Sequence, residues 1–118
     1  MAEVYRAEQE LTTGVNRPAA LKVIRPEYAA SEDFREMFLD EARTACTLSH
    51  PNIVHIYEVG EAEGLLYMGM ELVAGESLAI VGKELAQRGQ KLTDEALIAI
   101  GAYTCSALEA RLRLPSPC

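Results

Sequence analysis

The sequence predicts an α+β domain in which two β-hairpins flank one amphipathic helix and further helices follow. Two observations carry this prediction. Runs rich in Val, Ile, Leu and Tyr are separated by turn residues, and the stretch between them repeats apolar residues at three- and four-residue steps. The resulting order is strand, strand, helix, strand, strand and then helices, which is typical of an antiparallel sheet with one crossover helix.

The composition fits a single folded domain and excludes several functional classes. The chain has 118 residues, of which 49% are hydrophobic and 25% charged, as in a globular protein. A net charge of -7 argues against nucleic-acid and anionic-membrane binding, because both need a basic surface. No apolar run reaches the ~20 residues of a membrane span, and the cysteines lack metal-ligand spacing. We therefore expect a cytoplasmic protein with no metal site.

The first predicted hairpin contains a charge in an unusual place. A strand over residues 1–9 leads through turn chemistry at residues 12–18 to an apolar second strand, which ends before Pro26. Lys22 stands inside this apolar strand. Either it points to solvent from a half-exposed strand, or it points into a site where an anion binds. Most strand lysines lie at the surface, so the first alternative is favoured before other residues are considered.

The predicted crossover helix carries a second charge among apolar residues. Ser31 is the predicted N-cap, and the helix ends before Pro51. Glu41 lies on the apolar stripe of this helix, which comprises Phe34, Phe38, Ala42, Ala45 and Leu48. If the helix packs on the sheet, Lys22 and Glu41 can form a partly buried ion pair. Such a pair adds little net stability but can position the lysine for the phosphates of a ligand.

A second hairpin is predicted after this helix. Its strands cover residues 53–59 and 65–73, and a polar turn at residues 60–64 joins them. The break at residues 74–77 contains a glycine and separates the sheet from a helical segment.

The C-terminal part of the chain is predicted to be helical. A short helix at residues 78–88 is followed by a linker at residues 89–91, and Thr93 or Asp94 caps a last helix. That helix has an apolar stripe of Leu97, Ile100, Gly101, Cys105 and Leu108. Residues 111–118 lose the helical pattern, and we expect them to form an irregular tail.

Five segments follow one another in an order and spacing shared with a known family. They are Met1-Ala2-Glu3-Val4-Tyr5, Ala20-Leu21-Lys22, residues 38–43 around Glu41, His50-Pro51-Asn52-Ile53-Val54 and residues 70–78. Together they resemble the N-terminal lobe of bacterial serine/threonine protein kinases. In that family such segments are the back half of the glycine-rich loop, the Ala-x-Lys strand, helix αC, the connection after αC, and the gatekeeper and hinge.

The resemblance covers residues 1 to about 110 and implies a division of the chain. Residues 1–73 would form a kinase-like N-lobe, an antiparallel sheet that lacks its first strand together with helix αC. Residues 74–110 would form the hinge exit and the αD/αE-like helices of an incomplete C-lobe. Residues 111–118 would remain an irregular tail.

The resemblance also implies a nucleotide-binding role for nine residues. Lys22 would contact the α- and β-phosphates of ATP while Glu41 holds it in place. Seven further residues would contact adenine or ribose: Val4 and Ala20 above the adenine, Met70 as gatekeeper, backbone groups of Glu71 and Val73 at the adenine edge, and Glu76 or Ser77 at the ribose.

Several kinase elements are not present in the 118 residues. The first two glycines of the loop would precede Met1, and no His-Arg-Asp or Asp-Phe-Gly motif follows residue 110. We therefore expect no catalytic base and no Mg²⁺ ligand in the chain, weak or lost ATP binding, and no phosphoryl transfer by the polypeptide alone. Met1 is interpreted as an internal methionine of a longer kinase gene, and the tail as a frameshift or early stop. Both are hypotheses.

Three functions remain open from the sequence. The first is the ATP-binding lobe of an ATP-dependent protein phosphotransferase. The second is a non-catalytic interaction module or gene remnant that docks on another protein through exposed C-terminal helices. The third is an α+β domain unrelated to kinases, in which Lys22 lies at the surface and Glu41 extends into water. The five segments in register argue against the third, and the sequence identifies no substrate protein, pathway or oligomeric state.

Overall fold

The computed structural model of the chain describes residues 2–114, which fold into one antiparallel sheet and four helices. The strand order in the sheet is β1-β2-β4-β3. The elements are β1 (Ala2–Glu10), β2 (Asn16–Ile24), α1 (Pro26–Ala29), α2 (Glu32–Cys46), β3 (Ile56–Ala62), β4 (Leu65–Glu71), α3 (Leu78–Gln87) and α4 (Asp94–Leu112). The predicted α+β class, with two hairpins around a crossover helix, is confirmed.

The first hairpin is longer than predicted. β1 and β2 pair along their full lengths, so residues 16–18 belong to β2 and not to the turn. Pro18 has no N–H to donate. It is tolerated in the strand because the pairing of β2 with β4 begins only at Ala19, so no partner strand needs that donor on the β4 side. The turn is confined to residues 11–15, where Gly14 has a φ of 75°.

Pro26 ends the extended chain, as predicted, but it does so by starting a helix. It occupies the first turn of α1, a short helix that the sequence pattern does not predict. α2 then begins after Ser31, although the Ser31 side chain makes no capping hydrogen bond within residues 2–114. Glu32 and Asp33 place negative charge in the first turn of α2, where the helix dipole favours it.

The turn of the second hairpin is tighter than predicted. Residues 60–62 belong to β3, and only Glu63 and Gly64 connect β3 to β4. Both residues have a positive φ, 53° and 78°, which is the backbone of a type I′ turn. Because this turn matches the twist of the flanking strands, a loop of two residues is enough to join β3 to β4. The prediction of a five-residue polar turn is wrong.

The core lies between α2 and one face of the sheet. It is a single cluster of buried side chains from β2, α2 and β4: Ile24, Phe38, Ala42, Leu66 and Met68. Phe38 is 0% exposed and is the largest of them, so it is the main apolar anchor of α2. Burial of a side chain of this size contributes ~2–3 kcal/mol.

α3 and α4 lie away from this core. Ser77 and Thr93 cap them, because their side-chain oxygens accept hydrogen bonds from the backbone N–H groups of Ile80 and Ala96. The cap of α4 is therefore Thr93 and not Asp94. As far as the structure describes the chain, neither helix contains a buried residue.

The apolar residues of α4 are not confined to the predicted stripe. Leu97 and Leu108 of that stripe are exposed, and so are Ile98 and Tyr103, which lie outside it. A helix that is apolar on several sides is typical of the interior of a larger assembly. α4 also continues to Leu112, so the expected irregular tail is wrong for its first two residues. Residues 115–118 of that tail lie outside the described part of the chain.

Candidate functional site

One face of the sheet brings together four of the predicted nucleotide-binding residues. Val4 of β1 lies opposite Lys22 of β2, and Ala20 of β2 lies opposite Met70 of β4. Directly paired residues share a face of an antiparallel sheet, and residues two apart on a strand do so as well. Val4, Ala20, Lys22 and Met70 therefore lie on one face, the face on which α2 packs.

Lys22 and Glu41 form an ion pair across the interface between β2 and α2. The Nζ of Lys22 donates to Oε1 of Glu41 at 2.5 Å. The Lys22 side chain is 21% exposed, whereas that of Glu41 is 49% exposed. Lys22 is therefore not an ordinary surface lysine, while Glu41 is more open to solvent than its place in the apolar stripe predicts.

The exposure of Glu41 limits what the pair contributes to stability. Partly exposed ion pairs contribute ~0–1 kcal/mol, because solvent screens them and both side chains lose rotamer freedom. The main consequence of the pair is therefore geometric. It fixes one ammonium group at the boundary between the sheet and α2, close in register to the apolar residues Val4 and Ala20.

The end of β4 is joined to the segment before β3. The N–H of Glu71 donates to the carbonyl of His55 at 2.8 Å, and the N–H of His55 donates to Oε2 of Glu71 at 3.2 Å. The N–H of Glu71 is thus already used, so the group that this residue can offer a ligand is its carbonyl. Val73 follows in an irregular segment, and its side chain is exposed.

Glu76 and Ser77 occupy different environments although they are adjacent. The hydroxyl of Ser77 accepts a hydrogen bond from the N–H of Ile80 at 3.3 Å and caps α3. The Glu76 side chain is exposed in the irregular segment before that helix. Gly75 has a φ of 135°, which other residues rarely adopt, and so the chain turns sharply between Val73 and α3.

The loop after α2 is hydrogen-bonded to α4. The Nδ1 of His50 accepts a hydrogen bond from the N–H of Asn52 at 3.0 Å, and the Nε2 of the same ring is hydrogen-bonded to the Ser106 hydroxyl at 3.0 Å. The Nδ2 of Asn52 donates to the carbonyl of Tyr103 at 3.1 Å. The sequence pattern does not predict these contacts, because their partners are more than fifty residues away and carry no shared periodicity.

A groove lies on the opposite face of the sheet. It has a volume of about 460 Å³, and Leu21, Val23, Tyr57 and Tyr67 contribute to its lining. The guanidinium of Arg17 stacks on the Tyr57 ring at 3.3 Å. Of the nine predicted nucleotide-binding residues, only Ala20 is among the described residues that line it. The sequence does not predict this groove, and it is separate from the Lys22–Glu41 pair.

Tyr5 is adjacent to Val4 but faces the other way. Its hydroxyl donates to the Glu3 carboxylate, and this hydrogen bond, together with the negative charge of Glu3, raises the pKa of Tyr5 above its usual value. Because Tyr5 pairs with Leu21, it lies on the groove face of the sheet. It therefore does not belong to the candidate nucleotide site.

Three other features bear on metal binding and location. In residues 2–114, no group of three or more His, Cys, Asp or Glu side chains is arranged to hold a metal ion. The helices of this part of the chain include none that is long and apolar enough to cross a membrane. Cys46 and Cys105 are free and exposed.

The sequence is similar to known bacterial protein kinases. It matches the family model described as "Protein tyrosine and serine/threonine kinase" over residues 1–110. It is 46% identical over 79 residues to the tyrosine-protein kinase MasK of Myxococcus xanthus, and 36% identical over 110 residues to the serine/threonine-protein kinase PknD of Mycobacterium tuberculosis. These alignments cover 67% and 93% of this chain but only 12% and 16% of the two relatives.

The structure is also similar to solved kinase domains. The crystal structure of the Mycobacterium tuberculosis PknI kinase domain matches it with a TM-score of 0.69 and 31% sequence identity. The match covers 94% of this chain and 42% of the PknI chain. The sheet with α2 corresponds to the N-lobe of that fold, and the helices that follow correspond to the start of its C-lobe. The chain belongs to the protein kinase family and corresponds to the N-terminal part of a bacterial serine/threonine kinase domain.

Proposed function

We propose that these residues form the ATP-binding lobe of a protein serine/threonine kinase. The observation that carries the proposal is the Lys22–Glu41 ion pair at 2.5 Å, on the sheet face that also holds Val4, Ala20 and Met70. Nucleotide sites combine an apolar surface for the base with a few fixed polar groups for the phosphates. This face offers both, so the residues present fit ATP.

Lys22 would contact the α- and β-phosphates in this proposal. An ammonium group has three N–H donors, and Glu41 accepts from one of them, so donors remain for phosphate oxygens. Glu41 would fix the direction of the lysine side chain. Its carboxylate is half exposed, so it would not block the access of a ligand to the ammonium group. Glu41 is thus a positioning residue, and Lys22 is the group that touches the nucleotide.

The adenine would lie between apolar side chains and the backbone that follows β4. Val4 and Ala20 would cover the base, and Met70 would limit the depth of the site. The carbonyl of Glu71 and the N–H of Val73 would hydrogen-bond to the adenine edge, since the N–H of Glu71 is already bonded to another backbone carbonyl.

The ribose contact is assigned to Glu76 in this proposal. The oxygen of Ser77 already accepts a hydrogen bond as the cap of α3, whereas the Glu76 carboxylate is exposed and can accept from a ribose hydroxyl. We also propose that the N-lobe comprises residues 1–73 and that the C-lobe begins in residues 74–110. The sharp backbone turn at Gly75 supports this boundary.

ATP bound with Mg²⁺ supplies the phosphoryl group that a kinase transfers. The 118 residues contain no His-Arg-Asp or Asp-Phe-Gly motif, so the base and the metal ligands of a complete kinase would come from other residues. We propose that the polypeptide of these residues alone binds nucleotide weakly and does not transfer phosphate. A cytoplasmic location is supported by the free thiols of Cys46 and Cys105, which fit a reducing compartment.

A titration with Mg-ATP tests this function. Wild-type protein should show saturable binding by calorimetry, and Lys22→Met should weaken it by about tenfold to a hundredfold, because hydrogen bonds to charged groups contribute ~1.5–3 kcal/mol. Lys83→Met in α3 is the matched control, since that lysine is exposed and outside the site. Absence of saturable binding to the wild type, or equal affinity of the Lys22→Met variant, would refute the proposal.

A second candidate function is docking onto another protein through the C-terminal helices. The exposed apolar side chains of α4 favour it. We propose that the helical remainder of a kinase domain is the partner that covers them, because the similar PknI domain extends well beyond the 42% that this chain matches. Binding of a separately produced PknI-like C-lobe, measured by calorimetry and lost on charge substitution in α4, is the expected result. Failure to bind would contradict it.

A further inference from the structure

A second ion pair joins α2 to the sheet. The Nη2 of Arg35 on α2 donates to Oε2 of Glu61 on β3 at 3.0 Å. The two side chains are 23% and 49% exposed, nearly the same as the cation and the anion of the Lys22–Glu41 pair. The arrangement of the charges is reversed, since here the helix contributes the cation and the strand contributes the anion.

The two ion pairs hold α2 on either side of its apolar anchor. Arg35 and Glu41 are six residues apart, which is about 9 Å along a helix axis. Phe38 lies midway between them and is buried in the core. The strands that the pairs reach, β2 and β3, are separated by β4, so they lie about 9–10 Å apart across the sheet.

Apolar burial alone does not determine how α2 is oriented on the sheet. The hydrophobic contribution is non-directional, and only Phe38 and Ala42 of α2 are fully buried, so the apolar contacts leave the helix some freedom to rotate on the sheet. Two anchors at different heights on the helix, bonded to different strands, restrict that rotation. If one ion pair is removed, only the other pair still opposes rotation of the helix.

We propose that the Arg35–Glu61 pair positions Glu41 against Lys22 by fixing the orientation of α2. Arg35 touches neither Lys22 nor the nucleotide site, so it acts through the helix as a positioning residue. The consequence for nucleotide binding rests on the proposed function of Lys22. The consequence for the Lys22–Glu41 pair itself does not, and it can be measured without nucleotide.

The local packing allows the pair to be neutralised without unfolding the helix. Phe34 packs edge-on against Tyr28 of α1, with ring centroids 4.6 Å apart, and this contact holds the start of α2 independently of charge. α2 also contains a matched control, the Asp40–Arg43 pair, whose side chains are 72% and 64% exposed and which does not reach the sheet.

The test measures how accessible the Lys22 amine is in the full 118-residue chain. Its rate of acetylation by an amine reagent is followed by peptide mass spectrometry, with the exposed Lys83 as internal reference. Arg35→Gln and Glu61→Gln should each raise the Lys22 rate by about twofold to fivefold relative to Lys83, the range expected for loss of a partly exposed ion pair. Asp40→Asn should leave the Lys22 rate unchanged.

A variant in which the Lys22–Glu41 pair is already broken distinguishes a positioning effect of Arg35 from a general loosening of the fold. In Glu41→Gln protein, Arg35→Gln should cause no further increase, because Lys22 is no longer paired. The charge swap Arg35→Glu with Glu61→Arg should restore the wild-type rate. An equal increase in both backgrounds, an equal increase at Lys83, or no increase at all would overturn the inference.

Nucleotide affinity distinguishes this inference from the proposed function. If wild-type protein binds Mg-ATP, Arg35→Gln should weaken that binding by the same factor by which it raises the Lys22 rate. If wild-type protein does not bind Mg-ATP, the proposed function fails, while the acetylation rates still decide whether Arg35 positions Glu41.

Discussion

Replacement of Lys22 by methionine should separate nucleotide binding from stability. The lysine stem lies on the α2 face of the sheet, opposite Met68 of β4 and Val4 of β1. A methionine is similar in length and apolar, so it can keep these contacts. The substitution removes an ion pair whose carboxylate is 49% exposed, and such a pair contributes at most ~1 kcal/mol. It also leaves Glu41 unpaired, which costs little because water reaches that carboxylate.

The expected change in the free energy of unfolding for Lys22→Met is therefore within about ±1 kcal/mol. Urea denaturation followed by circular dichroism measures it, with Lys83→Met as the control. Mg-ATP affinity, measured on the same samples, should fall by about tenfold or more. A loss well above 1 kcal/mol in the free energy of unfolding would mean that the Lys22–Glu41 pair is not screened by solvent. That result would refute the view that the pair contributes little to stability.

Four further substitutions test the packing and the exposed surface of α4. Phe38→Ala should lower the free energy of unfolding by ~3–5 kcal/mol, because Phe38 fills the centre of the core; a loss below ~1 kcal/mol would contradict that placement. Gly60→Ala should lower the free energy of unfolding, because the new Cβ would lie 2.6 Å from the Tyr67 hydroxyl oxygen. Gly82→Ala in α3 should raise the free energy of unfolding by ~0.5–1 kcal/mol, because its Cβ meets nothing within 4 Å and alanine favours a helix. A change of the same sign in both variants would argue against this packing. Sedimentation velocity should show concentration-dependent self-association that Ile98→Glu reduces; a monomer at every concentration would contradict it.

The fold could be predicted from the sequence where local patterns and the final packing agree. The apolar spacing of α2 and the β-rich runs identify the elements, and Phe38 and Ala42 are buried as their positions indicate. The hairpin turns were predicted less well. Pro18 and Gly60 are turn residues by composition, yet both lie in strands, because the first lacks a partner strand on one side and the second makes room for the Tyr67 ring.

The candidate site was visible in the sequence because it contains charges at apolar positions. Lys22 and Glu41 interrupt a strand and a helix stripe, and the structure joins them. Arg35 and Glu61 form a similar contact but were not predicted, since neither interrupts an apolar pattern. Helix and strand periodicity reports only which side of an element is buried, and it does not show which charged residues meet across two elements.

α2 connects the sheet face that holds Val4, Ala20 and Lys22 with the helical segment. Its centre is fixed by Phe38, and ion pairs to β2 and β3 lie on either side of that residue. The loop after it is bonded to α4 through His50 and Asn52. Lys22 is paired with this same helix through Glu41. One helix therefore contacts the paired lysine of the sheet and, through the loop that follows it, the helical segment.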